Sequence, residues 1–324
     1  MHKTVWMALA SILFSAAIHA EDAATPQCEL KRLGSVELDT SGKVALPVSI
    51  GDRSVTMSLN VATAFSSILS QTAEDLSLPI RSVLAQTTRH AAGASLPVNI
   101  YAAIDAFSIG GARFGNGKFL VYKGSVTASI PYSGMLGMDV LGNVDFELDL
   151  SHKKLTFYSQ DHCAGHVVYW AKEFSSAPLY RDAVGTLFVP VQLDGKTIEA
   201  TFNTWGSETA IDTSATRLLY GFDEHSAGIQ TLAAESGRKV AQYRAMKMTT
   251  DGLTVVNANV RLDSSAQGKA CGVTAGGRTG RAAGYTGCFG MHPLYLGRNI
   301  LDKLRIYFAT KENVVYFTTA DSTN

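Results

Sequence analysis

Two stretches of this chain repeat one another. Leu46 to Ile68 reads LPVSIGDRSVTMSLNVATAFSSI, and Val189 to Ile211 reads VPVQLDGKTIEATFNTWGSETAI. Pro47 and Pro190 stand 143 residues apart (190 − 47), as do Asn60 and Asn203 (203 − 60). A second pair of blocks follows in the same order, MLGMDVLGNVDFELDLSHKKLTFY from Met135 and YLGRNILDKLRIYFATKENVVYF from Tyr295. Here Leu136-Gly137 and Leu296-Gly297 are 160 residues apart (296 − 136). Matched blocks in matched order mean one folding unit used twice.

Each copy opens on strand alternation. Val44, Leu46 and Val48 share one parity, Gly51-Asp52 marks a turn, and Val55, Met57 and Leu59 run into Asn60. The second copy does the same with Leu187, Val189 and Val191, a turn at Asp194-Gly195, then Ile198, Ala200 and Phe202 before Asn203. Short helices follow, with Ser70 in one copy and Asp212-Thr213-Ser214 in the other offering side-chain oxygens to orphan amides. Asp212 is read as such a cap, because in the repeat register it matches Leu69 and lies past the Asn loop. Asp139 and Asn299 are expected to cap a second pair of helices. Two hairpins, Thr87 to Asn99 and Gln230 to Gln242, have Gly93 and Gly237 at their tips, with further turns at Gly110-Gly111 and Asp251-Gly252.

Composition sets outer limits. The 324 residues are 46% hydrophobic, with 28 basic against 28 acidic side chains. That supports two domains with real cores and gives no basis for nucleic acid or an anionic membrane surface as a partner. Lys3 and the apolar run Val5 to Ile18, ending near Ala20, read as a signal peptide over residues 1–20. The run is shorter than the roughly 18–20 residues a membrane span needs, so no span is expected after cleavage and the destination is the periplasm or the exterior. An uncleaved anchor is the alternative. Cys28, Cys163, Cys271 and Cys288 make an even set suited to two disulfides, among three connectivities. The repeat favours Cys28 with Cys163 and Cys271 with Cys288. His162-Cys163-x-x-His166 has no second Cys/His pair at zinc spacing, so neither a metal nor a cofactor is expected. The Gly-rich stretch between Cys271 and Cys288 lacks the Gly-Lys-Ser/Thr of a phosphate loop and reads as a surface loop.

The order of blocks resembles the aspartic peptidases, in particular the bacterial retropepsin-like family: a hairpin, an apolar run into Asp-Thr-Gly, a flap, a Leu-Gly turn and helix, and a final hairpin. The resemblance covers nearly the whole mature chain, twice. It implies an all-β fold with short helices, in which two retropepsin-like acid-protease barrel lobes form a pseudo-twofold bilobal structure. The first lobe would span 21–165, a linker 166–185 and the second lobe 186–324, with the two Asn loops meeting on the axis and the tips around Gly93 and Gly237 acting as flaps.

At the centre the chain departs from the family. Asn60 and Asn203 stand where the catalytic Asp pair belongs. Such a pair shares one proton, so that one carboxylate activates water while the other acid protonates the carbonyl. An Asn amide does neither, and its NH2 only donates. Neither Asn precedes Gly, so fast deamidation is not expected to restore an acid. The neighbours differ too: Val61, Ala62 and Thr63 follow Asn60, and Thr204, Trp205 and Gly206 follow Asn203. Trp205, at the family's Gly place, is expected to crowd the cleft or the junction of the loops. No Gly-x-Ser-x-Gly or His-Glu-x-x-His is present. The expectation is a non-catalytic homologue binding a peptide or protein partner in the inter-lobe cleft. The alternatives are an active endopeptidase or other hydrolase using other residues, and a structural subunit with a filled cleft.

Overall fold

The structure, a computed structural model, describes residues 29–83, 99–128, 130–233, 239–263 and 292–322. The expected signal segment, Cys28, Gly93, Gly237, Cys271 and Cys288 lie outside the described residues. Cys163 is described and is not a free thiol.

The first half runs β1 (Arg32–Glu37), β2 (Ala45–Ile50), β3 (Arg53–Leu59), β4 (Ser67–Leu69), α1 (Ser70–Asp75), β5 (Ile80–Val83), β6 (Asn99–Ile109), β7 (Ala112–Tyr122), β8 (Gly134–Leu136), α2 (Met138–Leu141), β9 (Asp145–Asp149) and β10 (Lys154–Tyr158). The second runs β11 (Ser175–Pro178), β12 (Tyr180–Arg181), β13 (Leu187–Leu193), β14 (Lys196–Phe202), β15 (Ala210–Asp212), α3 (Thr213–Tyr220), β16 (Gln230–Ala233), β17 (Lys239–Thr250), β18 (Leu253–Asp263), β19 (Leu294–Leu296), α4 (Arg298–Leu301), β20 (Leu304–Ala309) and β21 (Val314–Thr319).

Six strands of the first half form a closed barrel in the order β2-β3-β8-β4-β7-β6, shut by β2 pairing with β6, while β5 extends from β6. The second half repeats this as β13-β14-β19-β15-β18-β17, shut by β13 on β17, with β16 extending from β17. The molecule is mostly β and two-lobed, as the repeat requires. Alternation puts Val44, Leu46 and Val48 inside one barrel and Leu187, Val189 and Val191 inside the other, while Pro47 and Ser49 face out. Each such burial contributes about 1.5–3 kcal/mol relative to exposure. Asp194 and Gly195 both take positive φ (45° and 81°), the backbone a two-residue hairpin turn needs.

A third sheet, β1-β10-β9-β20-β21-β11, is shared by the lobes, three strands from each. Its central pairing is β9 with β20, antiparallel, with Phe146 opposite Phe308 and Glu147 opposite Tyr307. In the repeat register Glu147 and Tyr307 are the same position (307 − 147 = 160), so the pseudo-twofold axis passes between them. Phe146 and Phe308 stack at 4.4 Å, and Phe202 meets Phe308 edge-on at 4.9 Å, so the apolar core runs through this junction.

Several local expectations need correction. Ser175–Pro178 and Tyr180–Arg181, inside the expected linker, are strands. Ser175 follows Arg32 by 143, and β11 closes its end of the shared sheet as β1 closes the other. The connecting segment is a packed cover on that sheet. Trp170 is buried with Nε1 donating to Thr318 Oγ1 at 2.8 Å, and it packs with Tyr158, Val167, Tyr307 and Tyr316. Asp212 does cap α3, accepting from Ser214 N–H at 2.6 Å. Ser70 is not a cap: it lies inside α1 and its hydroxyl meets the backbone of Gly124.

Candidate functional site

The two Asn loops leave parallel-paired strands and are held by the Leu-Gly blocks in the same way in each lobe. Asn60 N–H donates to Leu136 O at 3.0 Å, and Asn203 N–H to Leu296 O at 2.8 Å. The first amides of the short helices turn back onto the loops: Met138 N–H to Thr63 O and Asp139 N–H to Ala64 O, matched by Arg298 N–H to Gly206 O and Asn299 N–H to Ser207 O, all within 2.9–3.0 Å. Amides left over at a helix start thus find acceptors in the site itself. The glycines make this approach possible. A Cβ on Gly137 would lie 2.7 Å from the backbone of Phe65, and one on Gly297 would lie 2.2 Å from the backbone of Glu208.

Asp139 and Asn299 differ from the expected caps. The helices are preceded by Gly137 and Gly297, without side-chain caps. Asp139 instead accepts from Ser66 N–H at 2.9 Å and from Ser66 Oγ at 2.5 Å, and Ser66 Oγ in turn accepts from Gly137 N–H. Asn299 Oδ1 accepts from Thr209 N–H and Thr209 Oγ1, both at 2.8 Å, and Thr209 Oγ1 accepts from Gly297 N–H. Both side chains are clamps joining the second block to the first. Toward Ser66 and Thr209 only acceptance is required, so an Asn serves as well as an Asp, and Asn299 also donates Nδ2 to Asn259 O at 3.2 Å.

The loops meet across the axis through one residue. Thr204, fully buried, donates its hydroxyl to Leu59 O at 2.7 Å and accepts from Val61 N–H at 3.3 Å. Val61 is the repeat equivalent of Thr204 and has no hydroxyl to return the contact. Its apolar side chain is fully buried.

The side-chain oxygen of each Asn is spent on its own loop. Asn60 Oδ1 accepts from Ala62 N–H at 3.0 Å, and Asn203 Oδ1 accepts from Trp205 and Gly206 N–H at 3.1 Å each. A backbone N–H can only donate, so the atom that meets it in each side chain is the amide oxygen and not Nδ2. Neither Nδ2 has an acceptor among the described residues, and neither is a buried unpaired atom. Gly206 makes room for one of them, since a Cβ there would lie 2.7 Å from Asn203 Nδ2.

Trp205 does not fill the junction. It is 41% exposed, its carbonyl accepts from Lys43 Nζ at 2.7 Å, and Lys43 Nζ lies 5.0 Å from its ring centroid. Between Asn60 and Ser66 no residue is acidic or basic, and between Asn203 and Thr209 only Glu208 is, and it is exposed. Among the described residues these loops hold no pair of carboxylates and no His or Cys. A shallow hollow of about 480 Å³, lined by residues including Glu37, Asp39, Thr56 and Lys153, includes none of the loop residues.

One layer of the structure was not anticipated. On β9 of the shared sheet, Asp145, Glu147 and Asp149 are all buried. Arg305 contacts Glu147 Oε1 at 2.8–2.9 Å and lies over the Trp170 ring at 4.3 Å, while Tyr169 donates to Glu147 Oε2 at 2.9 Å. His162, weighed above as a metal ligand, has Nε2 at 2.6 Å from Asp145 and Nδ1 at 3.3 Å from Glu312. The signal was available in DFELD: acids at every second position of an otherwise apolar strand.

Compared with known proteins, the chain matches no family model and no curated protein.

Proposed function

We propose that this chain is an exported, aspartic-peptidase-like protein without hydrolytic activity that binds a peptide or protein partner between its lobes. The observation that carries this reading is the state of Asn60 and Asn203. They occupy equivalent places on touching loops, neither titrates, and both amide oxygens are already occupied by backbone donors. With no base to take a proton from water and no acid to give one, general acid-base catalysis, about 10²–10⁴-fold in rate, is missing from both partners. Extended segments can instead be held by backbone and side-chain hydrogen bonds along the loops.

The test is cleavage of a diverse peptide library from acidic to neutral pH by the native chain and by Asn60→Asp/Asn203→Asp. The expected result is an inert native chain that still retains peptides. Cleavage by the native chain that survives Asn60→Ala would overturn the proposal and send the search to other residues.

A further inference from the structure

We infer that Asn60 and Asn203 together form a donor-only receptor for a carboxylate, and that the cleft therefore selects peptides ending in a free C-terminus. The inference deepens the peptide-binding reading above and rests on it.

The argument begins from hydrogen-bond bookkeeping. Both Asn side chains adopt the same turn-like conformation, with Oδ1 accepting from the amide two residues on. The lobes are related by an axis that passes between their loops, as the Thr204 contacts to Leu59 and Val61 require. The two Nδ2 groups belong to equivalent positions, and the hydrogen bonds of both side chains to described residues run through Oδ1 alone. An acidic pair in these places would need a shared proton to coexist and would repel a third carboxylate. The amide pair inverts that preference, since each Oδ1 already accepts from its own loop and each Nδ2 can only donate.

The ligand chemistry follows. A carboxylate has two equivalent acceptor oxygens and its own local twofold symmetry, so one oxygen can meet each amide across the axis. Hydrogen bonds to an ionised acceptor are shorter and about twice as strong as those to a neutral carbonyl. The nearby charge has the right sign, because Lys43 Nζ is held at Trp205, two residues beyond Asn203. The nearest acids on the loops are directed elsewhere or outward: Asp139 is bound to Ser66, and Glu208 faces solvent.

The experiment uses two random hexapeptide pools, identical except that one ends in a free carboxylate and the other in a carboxamide. Retention of each on the immobilised full chain is read by mass spectrometry at neutral pH. The expected result is a preference of about tenfold or more for the free-acid pool, lost or reversed in Asn60→Asp/Asn203→Asp. That variant keeps both oxygens that accept from the loop and exchanges only Nδ2, and circular dichroism verifies its fold. Asn203→Ala, which removes one donor without adding charge, should show an intermediate preference. Equal retention of the two pools by the native chain overturns the carboxylate receptor and leaves peptide binding standing. Failure to retain either pool overturns both.

Discussion

Thr204 and Val61 are the same position in two copies of one unit, and they touch: the Thr204 hydroxyl lies 3.3 Å from Val61 N and 2.7 Å from Leu59 O. A self-equivalent contact of this kind arises only at a twofold axis. Because Val61 lacks a hydroxyl, the two loops are tied from one side. Thr204→Val should therefore leave Leu59 O and Val61 N–H buried and unpaired, costing about 1–3 kcal/mol in urea denaturation. Thr204→Ser, which keeps the oxygen, should recover most of it.

The Asp139 clamp makes a sharper distinction. Its partner Asn299 does the same work with an amide oxygen. Asp139→Asn should accordingly change stability by less than about 1 kcal/mol, whereas Asp139→Ala should cost about 1–3 kcal/mol by stranding Ser66 N–H and its hydroxyl. Thermal unfolding of the two variants side by side separates these outcomes. Equal, large losses would mean that the negative charge itself matters.

Gly297 is required by packing. An added methyl would sit 2.2 Å from the Glu208 backbone. Gly297→Ala must push β19 and the Asn203 loop apart, a strain of about 1–3 kcal/mol or more. The change in denaturation midpoint is the measurement, and a neutral result would show that the two blocks can slide freely.

Arg305 balances Glu147 in a layer from which water is largely excluded. Arg305→Met should cost about 3–5 kcal/mol, mostly through the uncompensated carboxylate. Adding Glu147→Gln should return much of that loss. A double-mutant cycle with additive losses would deny the coupling.

Alkaline pH attacks the same layer and, through Tyr295 on β19, the second barrel. Burial pushes the phenols of Tyr158 and Tyr307 well above their ordinary 10.0, with the Glu147 charge adding to the first and the Asp145 charge to the second. Burial, with smaller contributions from Asp212 and Asp263, pushes Tyr295 up to about 12. A raised folded value means the unfolded chain releases these protons first, so stability is intact below pH 10 and falls as pH rises from there through 12. Tyrosinate absorbance of these rings should appear together with loss of the far-ultraviolet β signal. Ionisation of all the tyrosines ahead of unfolding would contradict this.

Much of this architecture was legible in the chain because the repeat is strong and the strands alternate. Val44, Leu46 and Val48 point inward as their parity requires, and Asp194-Gly195 turns where hairpin chemistry puts it. Asn60 and Asn203 share one register, and their amides meet the matching Leu136 and Leu296 carbonyls. What escaped were tertiary choices. Asp139 has the composition of a cap but spends its oxygens on Ser66, 73 residues away. Trp205 looked like a plug, yet Lys43 supplies a surface seat for it. Ser175–Pro178 has weak strand chemistry and is a strand because the shared sheet offers it an edge beside β21.

The register that sets Glu147 against Tyr307 gives a two-fold framework to a chain whose halves are free to diverge. An assembly of two identical subunits must present the same side chains at both loops. Here one loop carries Ala62 and a half-exposed Phe65, while the other carries Trp205 and an exposed Glu208 at the equivalent positions. The matched positions thus carry a small and an aromatic side chain in one loop, and an aromatic and an acidic one in the other. A single chain carrying both halves can set unlike side chains at matched positions, which two identical chains cannot do.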